Sequence, residues 1–386
     1  MTAAMKIPFL DLSIKDEALR AELLEAVGRV LSHGRFILGP EHDEFERAME
    51  KRCRRRHAVG VGSGSDALFL ALRALEIGPG DEVITTPLTW VATTNAIVLN
   101  GATPVFVDVR DDLNLDAGLI EAAITKRTKA ILPVHFTGQC CDMDAILEVA
   151  ERHGIPVIED AAQAFDATYK GRPAGSFGRL ACFSMNPMKV FRGYGEAGAV
   201  VTDDDALKER LASLRYAGTV NKENCHWPSI NGRLDTLQAA MLLVNLRHID
   251  GKIEARRRVA KDYDDLLGGI VDTPTRNPRC RHTYYSYTVG CDDRDALKEF
   301  LLARGVETKI QHPFLMPYHA AYRGKFKADI PVAERLVKRI LCIPNHEDMT
   351  ADGIAYVADC ISDFVTGQGG DRKSKRAAAP RGGRKA

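Results

Sequence analysis

The sequence predicts an α/β protein with two domains: a large one built on a mostly parallel sheet, then a smaller α+β domain. The chain has 386 residues, more than one ordinary domain, and its 45% hydrophobic and 27% charged content is typical of globular proteins. From about His57 onward, short β-branched runs alternate with helical patterns, as in proteins with parallel sheets. The longest apolar stretches fall well short of the roughly 20 residues that a membrane helix needs.

The first predicted element is a helix from about Ser13 to His33. Ser13 and Asp16 resemble a capping box, and Gly34 provides a stop signal. Apolar residues recur on one face at helical spacing, namely Leu19, Leu23, Ala26 and Val30. The pattern therefore predicts a helix with one buried face.

Seven strands are predicted next. Their apolar runs are continuous rather than alternating, which indicates a sheet covered by helices on both faces. The runs are HAVGV at 57–61, EVITT at 82–86, TPVFVDV at 103–109, KAILPV at 129–134, PVIED at 156–160, RLACFS at 179–184 and GAVVT at 198–202.

The remaining elements predict a smaller α+β domain after a long helix. A helical pattern covers Thr236 to Leu267, and a connection rich in proline and arginine follows. The later elements are TYYSYTVG at 283–290, a helix near 295–304, VETKI at 306–310 and two further helices. We expect a large domain at 1–250, a small domain at 251–366 and a disordered basic tail at 367–386.

Charge and cysteine content limit the classes of function. The tail carries seven basic residues and one acidic residue, and since the whole chain carries +1, the rest carries −5. The body has no basic stripe, so a nucleic-acid partner is not expected.

The nine cysteines include no C-x-x-C pair, which indicates reduced thiols, mostly in the core. Neither they nor the histidines have metal-ligand spacing, and without a signal peptide we expect a cytoplasmic protein.

The loop GVGSGSD at 60–66 is a candidate phosphate site. Glycines permit close backbone approach, and the helix after them presents unpaired N–H groups to an anion. Gly62, Gly64 and Ala67 also fit the dinucleotide pattern G-x-G-x-x-A. That function requires an acidic residue at the end of the second strand, where this chain has Thr85 and Thr86. An ordinary strand-to-helix turn is the remaining alternative.

Two further strand ends carry chemically useful residues. Asp160 is the last residue of the predicted strand PVIED, and a carboxylate at that strand end points into the ligand crevice of a parallel sheet. The alternative role of Asp160 is to cap the start of a following helix. Lys189 is the single lysine in the long segment 184–198 between RLACFS and GAVVT. A loop lysine is usually solvated, but burial in the crevice would lower its pKa and make the amine nucleophilic.

A phosphate site, a carboxylate and a lysine together meet the needs of pyridoxal 5'-phosphate. The carboxylate pairs with the ring nitrogen, and the lysine bonds to the aldehyde. An aromatic residue should cover the ring, and Trp90, after the second strand, is placed to do so. Packing in the core is its alternative role.

At this point the chain resembles the DegT/DnrJ/EryC1/StrS family of pyridoxal-phosphate sugar aminotransferases. The likeness runs from about Ile7 to Val365 and rests on several motifs in order: GRFILGPE, GSGSDALFLAL, GDEVITTPLTWVAT, IEDAAQAF, SMNPMK, YGEAGAVVT and NGRLDTLQAA. The resemblance implies fold type I of the pyridoxal-phosphate enzymes, with a mostly parallel seven-stranded sheet.

The resemblance also implies roles for individual residues. Lys189 and Asp160 would be catalytic, Lys189 as the Schiff-base lysine and Asp160 as the partner of the pyridine nitrogen. The cofactor, in its pyridoxal (PLP) or pyridoxamine (PMP) form, would also contact Gly64, Ser65, Trp90, Gln163, Ser184 and Asn231. Asn231 would reach the phosphate in the neighbouring subunit, so a homodimer with shared active sites is implied.

Two departures from the family pattern affect the expected substrate contacts. Asn186 and Met188 stand where members often have histidine and threonine, so they are expected to reshape the pocket. The acceptor's diphosphate could meet an arginine, and the candidates are Arg35, Arg192, Arg215 and Arg233. His312 is a further candidate substrate contact, with a purely structural role as its alternative.

The implied reaction moves an amino group from glutamate to a keto sugar, expected to be nucleotide-linked, for a surface polysaccharide or a glycosylated metabolite. Retention of Lys189 favours transamination over the dehydratases of the family, which replace this lysine. Two alternatives stay open: another pyridoxal-phosphate reaction of dehydratase or lyase type, and a regulatory protein that binds nucleic acid.

Overall fold

The computed structural model describes residues 5–367 of the chain, so the predicted tail lies outside the described residues except for Gly367. The helices are α1 Glu17–His33, α2 Pro40–Cys53, α3 Gly64–Ala74, α4 Val91–Leu99, α5 Ile120–Ala123, α6 Met143–His153, α7 Asp205–Leu214, α8 Thr236–Leu267, α9 Arg294–Ala303, α10 Pro331–Arg339 and α11 Ala351–Val365. The strands are β1 His57–Val61, β2 Glu82–Thr85, β3 Thr103–Phe106, β4 Thr128–Leu132, β5 Ile158–Asp160, β6 Thr168–Tyr169, β7 Arg172–Pro173, β8 Leu180–Ser184, β9 Gly198–Thr202, β10 Thr219–Val220, β11 Asn224–Cys225, β12 Cys280–Arg281, β13 Tyr287–Gly290 and β14 Ile340–Ile343.

Seven strands form the central sheet in the order β3-β2-β4-β5-β8-β9-β1. Strands β4 and β5 are joined by parallel bridges, one of them between Ile131 and Val157. Neighbours are parallel except at β9, which runs antiparallel to both β8 and β1. The predicted mostly parallel seven-stranded sheet is confirmed, and the carboxyl ends of β1, β2, β4, β5 and β8 share one edge.

Helices cover both faces of this sheet, as the continuous apolar runs predicted. Successive strand residues enter two different hydrophobic clusters, because side chains along a strand alternate between faces. Ile84 and Phe183 belong to one cluster, while their neighbours Val83 and Cys182 belong to the other. Helix α3 packs on β8 and β9, and α2 packs on β1.

The start of the first helix differs from the prediction. Helix α1 begins at Glu17, and its N-cap is Asp16, whose carboxylate accepts hydrogen bonds from the amides of Ala18 and Leu19. Ser13 instead donates its hydroxyl to Asp11, so the predicted capping box was wrong. The helix ends before Gly34, which has a positive φ of 67°, as predicted.

The smaller α+β unit rests on the antiparallel pair β13–β14. Its core includes Tyr263 from α8, Leu297 from α9 and Val357 from α11. VETKI forms isolated bridges rather than a strand, and β14 pairs with β13 instead. The predicted boundary at residue 250 falls inside the continuous helix α8, and the division into domains stays a prediction.

Two properties of the described residues bear on the expected location. None of the helices in residues 5–367 combines the length and the apolar character needed to cross a membrane. Six of the nine cysteines are buried, which confirms that most lie in the core. A cytoplasmic location stays a prediction.

Candidate active site

The start of α3 forms the corner where a phosphate was predicted. Ser63 caps the helix by accepting a hydrogen bond from the Asp66 amide at 3.0 Å, and Ser65 is exposed in the first turn. Gly64 packs so closely on the end of β8 that a Cβ there would lie 2.5 Å from the Ser184 Cβ. The unpaired N–H groups of this turn and the helix dipole favour an anion, so the corner fits a phosphate group.

Asp160, at the end of β5, is only 3% exposed. Its carboxylate accepts hydrogen bonds from Thr93 Oγ1 at 2.8 Å and from the Ala162 amide at 3.2 Å. Burial raises the pKa of Asp160, and these two hydrogen bonds and the charge of Lys189 offset burial only in part. No helix follows directly in residues 161–167, so the N-cap alternative was wrong. A buried carboxylate of this kind is suited to pair with a protonated ring nitrogen.

Lys189 lies in the long loop between β8 and β9, which contains no helix. Its Nζ is 4.5 Å from the centroid of the Tyr285 ring. Burial lowers the pKa of Lys189 to about 8, although the charges of Asp160 and Glu196 act in the opposite direction. The side chain is thus in the crevice rather than fully solvated, and a substantial fraction of its amine is neutral near physiological pH.

Gln163 is buried three residues beyond Asp160 and joins two other segments. Its Oε1 accepts hydrogen bonds from the Thr137 amide at 2.9 Å and from Gln311 Nε2 at 3.2 Å. These bonds use the oxygen and leave the Nε2 amino group to donate to a ligand.

Trp90 and His312 form an aromatic group beside the lysine. Trp90 is 57% exposed, so the core-packing alternative was wrong. Its ring centroid lies 5.8 Å from that of His312, which also lies 5.6 Å from Phe136. Burial, together with the charges of Lys189 and others, lowers the pKa of His312 to about 3. His312 is therefore neutral and near Lys189.

The two departures from the family pattern lie on the lysine loop. Asn186 Nδ2 donates to Glu196 Oε1 at 2.7 Å, and its Oδ1 accepts from the Met188 amide at 3.0 Å. Glu196 also acts electrostatically on Lys189. Asn186 therefore connects the lysine loop to the carboxylate that acts on the lysine.

The other candidate substrate residues are more dispersed. Arg192 forms an ion pair with Glu347 at 3.3 Å, whereas Arg35 is exposed. Asn231 is also exposed, and its Oδ1 accepts a hydrogen bond from Arg233 at 2.7 Å. Among the described residues, no hydrogen bond of the Asn231 side chain connects it to the crevice of its own chain.

Arg215 is buried away from the crevice, against α2. It donates to Glu46 and to the Gly60 carbonyl, and its Nη1 lies 3.2 Å from His42 Nε2. His42 and Glu46, with Asp43, are the one group in residues 5–367 whose spacing would permit a metal ion. The Arg215 guanidinium already supplies a positive charge to the Glu46 carboxylate of this group.

Two side chains for which the sequence predicted no separate role, those of Glu159 and His135, support the site. Glu159 is fully buried, lies 3.0 Å from His135 Nε2, and accepts hydrogen bonds from the amides of Gly175, Phe177 and Gly178. This carboxylate anchors the strand that carries Asp160. His135 follows β4 at the same sheet edge as Asp160. That position in the sequence could have indicated that His135 lies beside the site.

The comparisons with known proteins agree with this geometry. The sequence profile of the DegT/DnrJ/EryC1/StrS aminotransferase family matches residues 17–362. The chain belongs to this family. The predicted family and aminotransferase class are thereby confirmed.

Individual relatives cover nearly the whole chain. A dTDP-3-amino-3,4,6-trideoxy-α-D-glucose transaminase of Streptomyces venezuelae is 43% identical over 93% of this chain and 96% of its own. A UDP-N-acetyl-3-dehydro-α-D-glucosamine 3-aminotransferase of Acidithiobacillus ferrooxidans is 39% identical over 94% and 98%. A protein of Geobacillus stearothermophilus named pleiotropic regulatory protein is 40% identical over 93% and 99%.

Solved structures confirm the fold type I architecture. The S. venezuelae enzyme DesV, in complex with a ketimine intermediate, has a TM-score of 0.91 and 41% identity over 93% of this chain and 98% of its own. The Bacillus subtilis protein NtdA has a TM-score of 0.86 and 27% identity over 94% and 85%, and it holds the cofactor PMP. The predicted cofactor, PLP or PMP, is thus one that a relative of this fold contains.

Substitution of Gly64 tests the phosphate corner. In Gly64→Ala the new methyl would meet Ser184, and we expect PLP to bind the apoprotein about tenfold or more weakly in an absorbance titration. Gly28→Ala is the matched control, because a Cβ at Gly28 meets nothing within 4 Å. Equal PLP affinity of Gly64→Ala and Gly28→Ala would contradict the assignment of the corner.

The lowered pKa of Lys189 can be tested without cofactor. Only the neutral amine attacks an electrophile, so labelling of Lys189 by an amine-selective reagent should rise to a plateau with a midpoint at about pH 8. The exposed Lys261, whose pKa its ion pair with Asp265 raises, should still gain reactivity well above that pH. Peptide mapping of the apoprotein measures both. A midpoint for Lys189 as high as that of Lys261 would show that the amine is not desolvated.

Proposed function

We propose that this protein is a PLP-dependent aminotransferase that moves an amino group from glutamate to a nucleotide-linked keto sugar. The observation that carries the proposal is the location of Asp160 and Lys189 in one crevice, beside the start of α3. The carboxylate is buried and the amine has a lowered pKa, as this cofactor requires.

The cofactor's phosphate would bind at Gly64, Ser65 and Ser184. Asp160 would hold the ring nitrogen in its protonated form, with Thr93 fixing the carboxylate through a 2.8 Å hydrogen bond. When bound, the cofactor supplies an aldehyde that carries the amino group and a ring that withdraws electrons.

The remaining contacts would orient the ring and exclude water from its faces. Gln163 Nε2 is available to donate a hydrogen bond, because its Oε1 is engaged by Thr137 and Gln311. Trp90 would cover one face of the ring, a role for which its exposed position is suited.

Lys189 would move the proton in both halves of the reaction. Its neutral Nζ would accept a proton from the α-carbon of the donor and deliver it to the aldehyde-derived carbon of the cofactor. A pKa of about 8 suits both steps, because the amine can accept and release a proton near physiological pH. Retention of this lysine favours transamination over dehydration.

For the acceptor we propose a nucleotide-linked hexose with a ketone at C3. The Streptomyces and Acidithiobacillus relatives are named for amination at C3 of dTDP- and UDP-linked sugars. The alignments with these two relatives cover more than nine-tenths of this chain. The product would serve a surface polysaccharide or a glycosylated metabolite.

We further propose a homodimer with shared active sites. Asn231 is exposed, so it is free to reach a cofactor phosphate in a second subunit. Leu24 and Leu31, one heptad apart on α1, are 64% and 60% exposed, and Phe36 and Ile37, which follow α1 in the chain, are also exposed. A second copy of the chain would cover these apolar side chains.

A substrate panel tests the proposed function. The protein, charged with PMP, is offered dTDP- and UDP-linked 3-keto and 4-keto hexoses, and mass spectrometry detects the amine. We expect amination of a 3-keto sugar, loss of activity in Lys189→Ala, and unchanged activity in Lys261→Ala, since Lys261 is exposed in an ion pair with Asp265. No amine from any keto sugar would refute the function, and preference for 4-keto sugars would refute the position of the ketone.

A further inference from the structure

A small cavity of about 20 Å³ is lined in part by the Tyr285 side chain. Besides Tyr285, its lining includes Leu10, Met188, Arg256 and Asn345. The cavity adjoins the catalytic lysine, because Met188 precedes Lys189 in the chain and the Tyr285 ring lies 4.5 Å from Lys189 Nζ. Its volume is sufficient for one water-sized group.

Three residues that line this cavity each have a buried polar atom without a hydrogen-bond partner, namely Arg256 Nε, Ser286 Oγ and Asn345 Oδ1. Arg256 is 3% exposed and donates from Nη1 to the Asn345 carbonyl at 2.7 Å, but its Nε has no hydrogen bond. Asn345 is 5% exposed, and its Oδ1 is likewise without a partner. Buried polar groups are rarely left unpaired, since each costs free energy, and an unpaired guanidinium N–H calls for an acceptor.

The cavity also lies in a region rich in basic side chains. Arg192 and Arg256 both pair with Glu347, at 3.3 and 3.0 Å. Lys252 is near the same group, and burial followed by the charge of Arg192 lowers its pKa. Asp348 is the second carboxylate that acts on Lys252. Three basic side chains, those of Arg192, Arg256 and Lys252, thus lie near two carboxylates, those of Glu347 and Asp348.

We propose that this cavity receives one carboxylate of a dicarboxylic amino donor, with Arg256 Nε donating to a carboxylate oxygen. The inference rests on the proposed aminotransferase function and locates the donor within the site. The cavity admits the oxygen, and the rest of the donor extends past Met188 and Tyr285 towards Lys189. A charge-assisted hydrogen bond in a desolvated place would favour donors with a second carboxylate over monocarboxylic amino acids.

Calorimetric titration with glutarate, a dicarboxylate without an amino group, tests this site on the holoprotein. We expect glutarate to bind at least about tenfold more tightly than butyrate, and Arg256→Met to remove that preference, because a hydrogen bond to a charged group is lost. Arg256→Lys should retain part of it. Arg258→Met is the matched control, since Arg258 is exposed on the same helix, and it should bind glutarate like the parent protein.

A second pair of variants keeps the test decisive if the Arg256 variants do not fold. Asn345→Asp places a negative charge at the cavity and should weaken glutarate about tenfold or more, whereas the neutral Asn345→Ser should not. Thermal melting and the visible absorbance of the bound cofactor verify folding. Parental glutarate affinity in folded Arg256→Met or Asn345→Asp, or equal binding of glutarate and butyrate to the parent, would overturn the proposal.

Single-turnover measurements separate this inference from the proposed function. In Asn345→Asp the half-reaction with glutamate should slow, while the half-reaction of the PMP form with the keto sugar should not. A slower sugar half-reaction with an unchanged glutamate half-reaction would assign the cavity to the sugar and overturn the inference. If the parent protein aminated no sugar but bound glutarate through Arg256, the proposed function would fail and the carboxylate site would stand.

Discussion

The desolvation of two opposite charges, the Asp160 carboxylate and the Lys189 amine, is the constraint on which the site depends. Burial raises the pKa of the carboxylate and lowers that of the amine, and each partly restores the charge of the other. A buried carboxylate of this kind is suited to pair with a further cation, and a desolvated amine is suited to attack an electrophile. Pyridoxal 5'-phosphate provides both in one molecule.

The sheet satisfies this constraint by bringing distant segments to one edge. Gly64 follows β1, Asp160 ends β5, and Ser184 ends β8, so parallel strands place all three at their carboxyl ends. The antiparallel strand β9 has a different role. It runs back beside β8 with Gly198 opposite Ser184, so the loop that joins the two strands lies at the same sheet edge, and that loop carries Lys189.

Parts of this arrangement could be predicted from the sequence because they depend on local patterns. The strands read as apolar runs, and Asp160 and Lys189 stand at or after strand ends. Helix α2 was missed since its sequence PEHDEFERAMEKRC has few apolar residues and only a narrow buried face. Thr93, Tyr285 and Gln311 were missed because they reach the site from remote segments, which only the tertiary fold brings together.

The position of the lysine's covalent bond is the most direct test of the account. Protein purified with ample PLP is reduced with borohydride and mapped by mass spectrometry after proteolysis, since reduction makes a lysine–cofactor bond permanent. The account predicts a single phosphopyridoxyl adduct, on Lys189. An adduct confined to another lysine, or no adduct on Lys189 in protein that retains its fold, would contradict it.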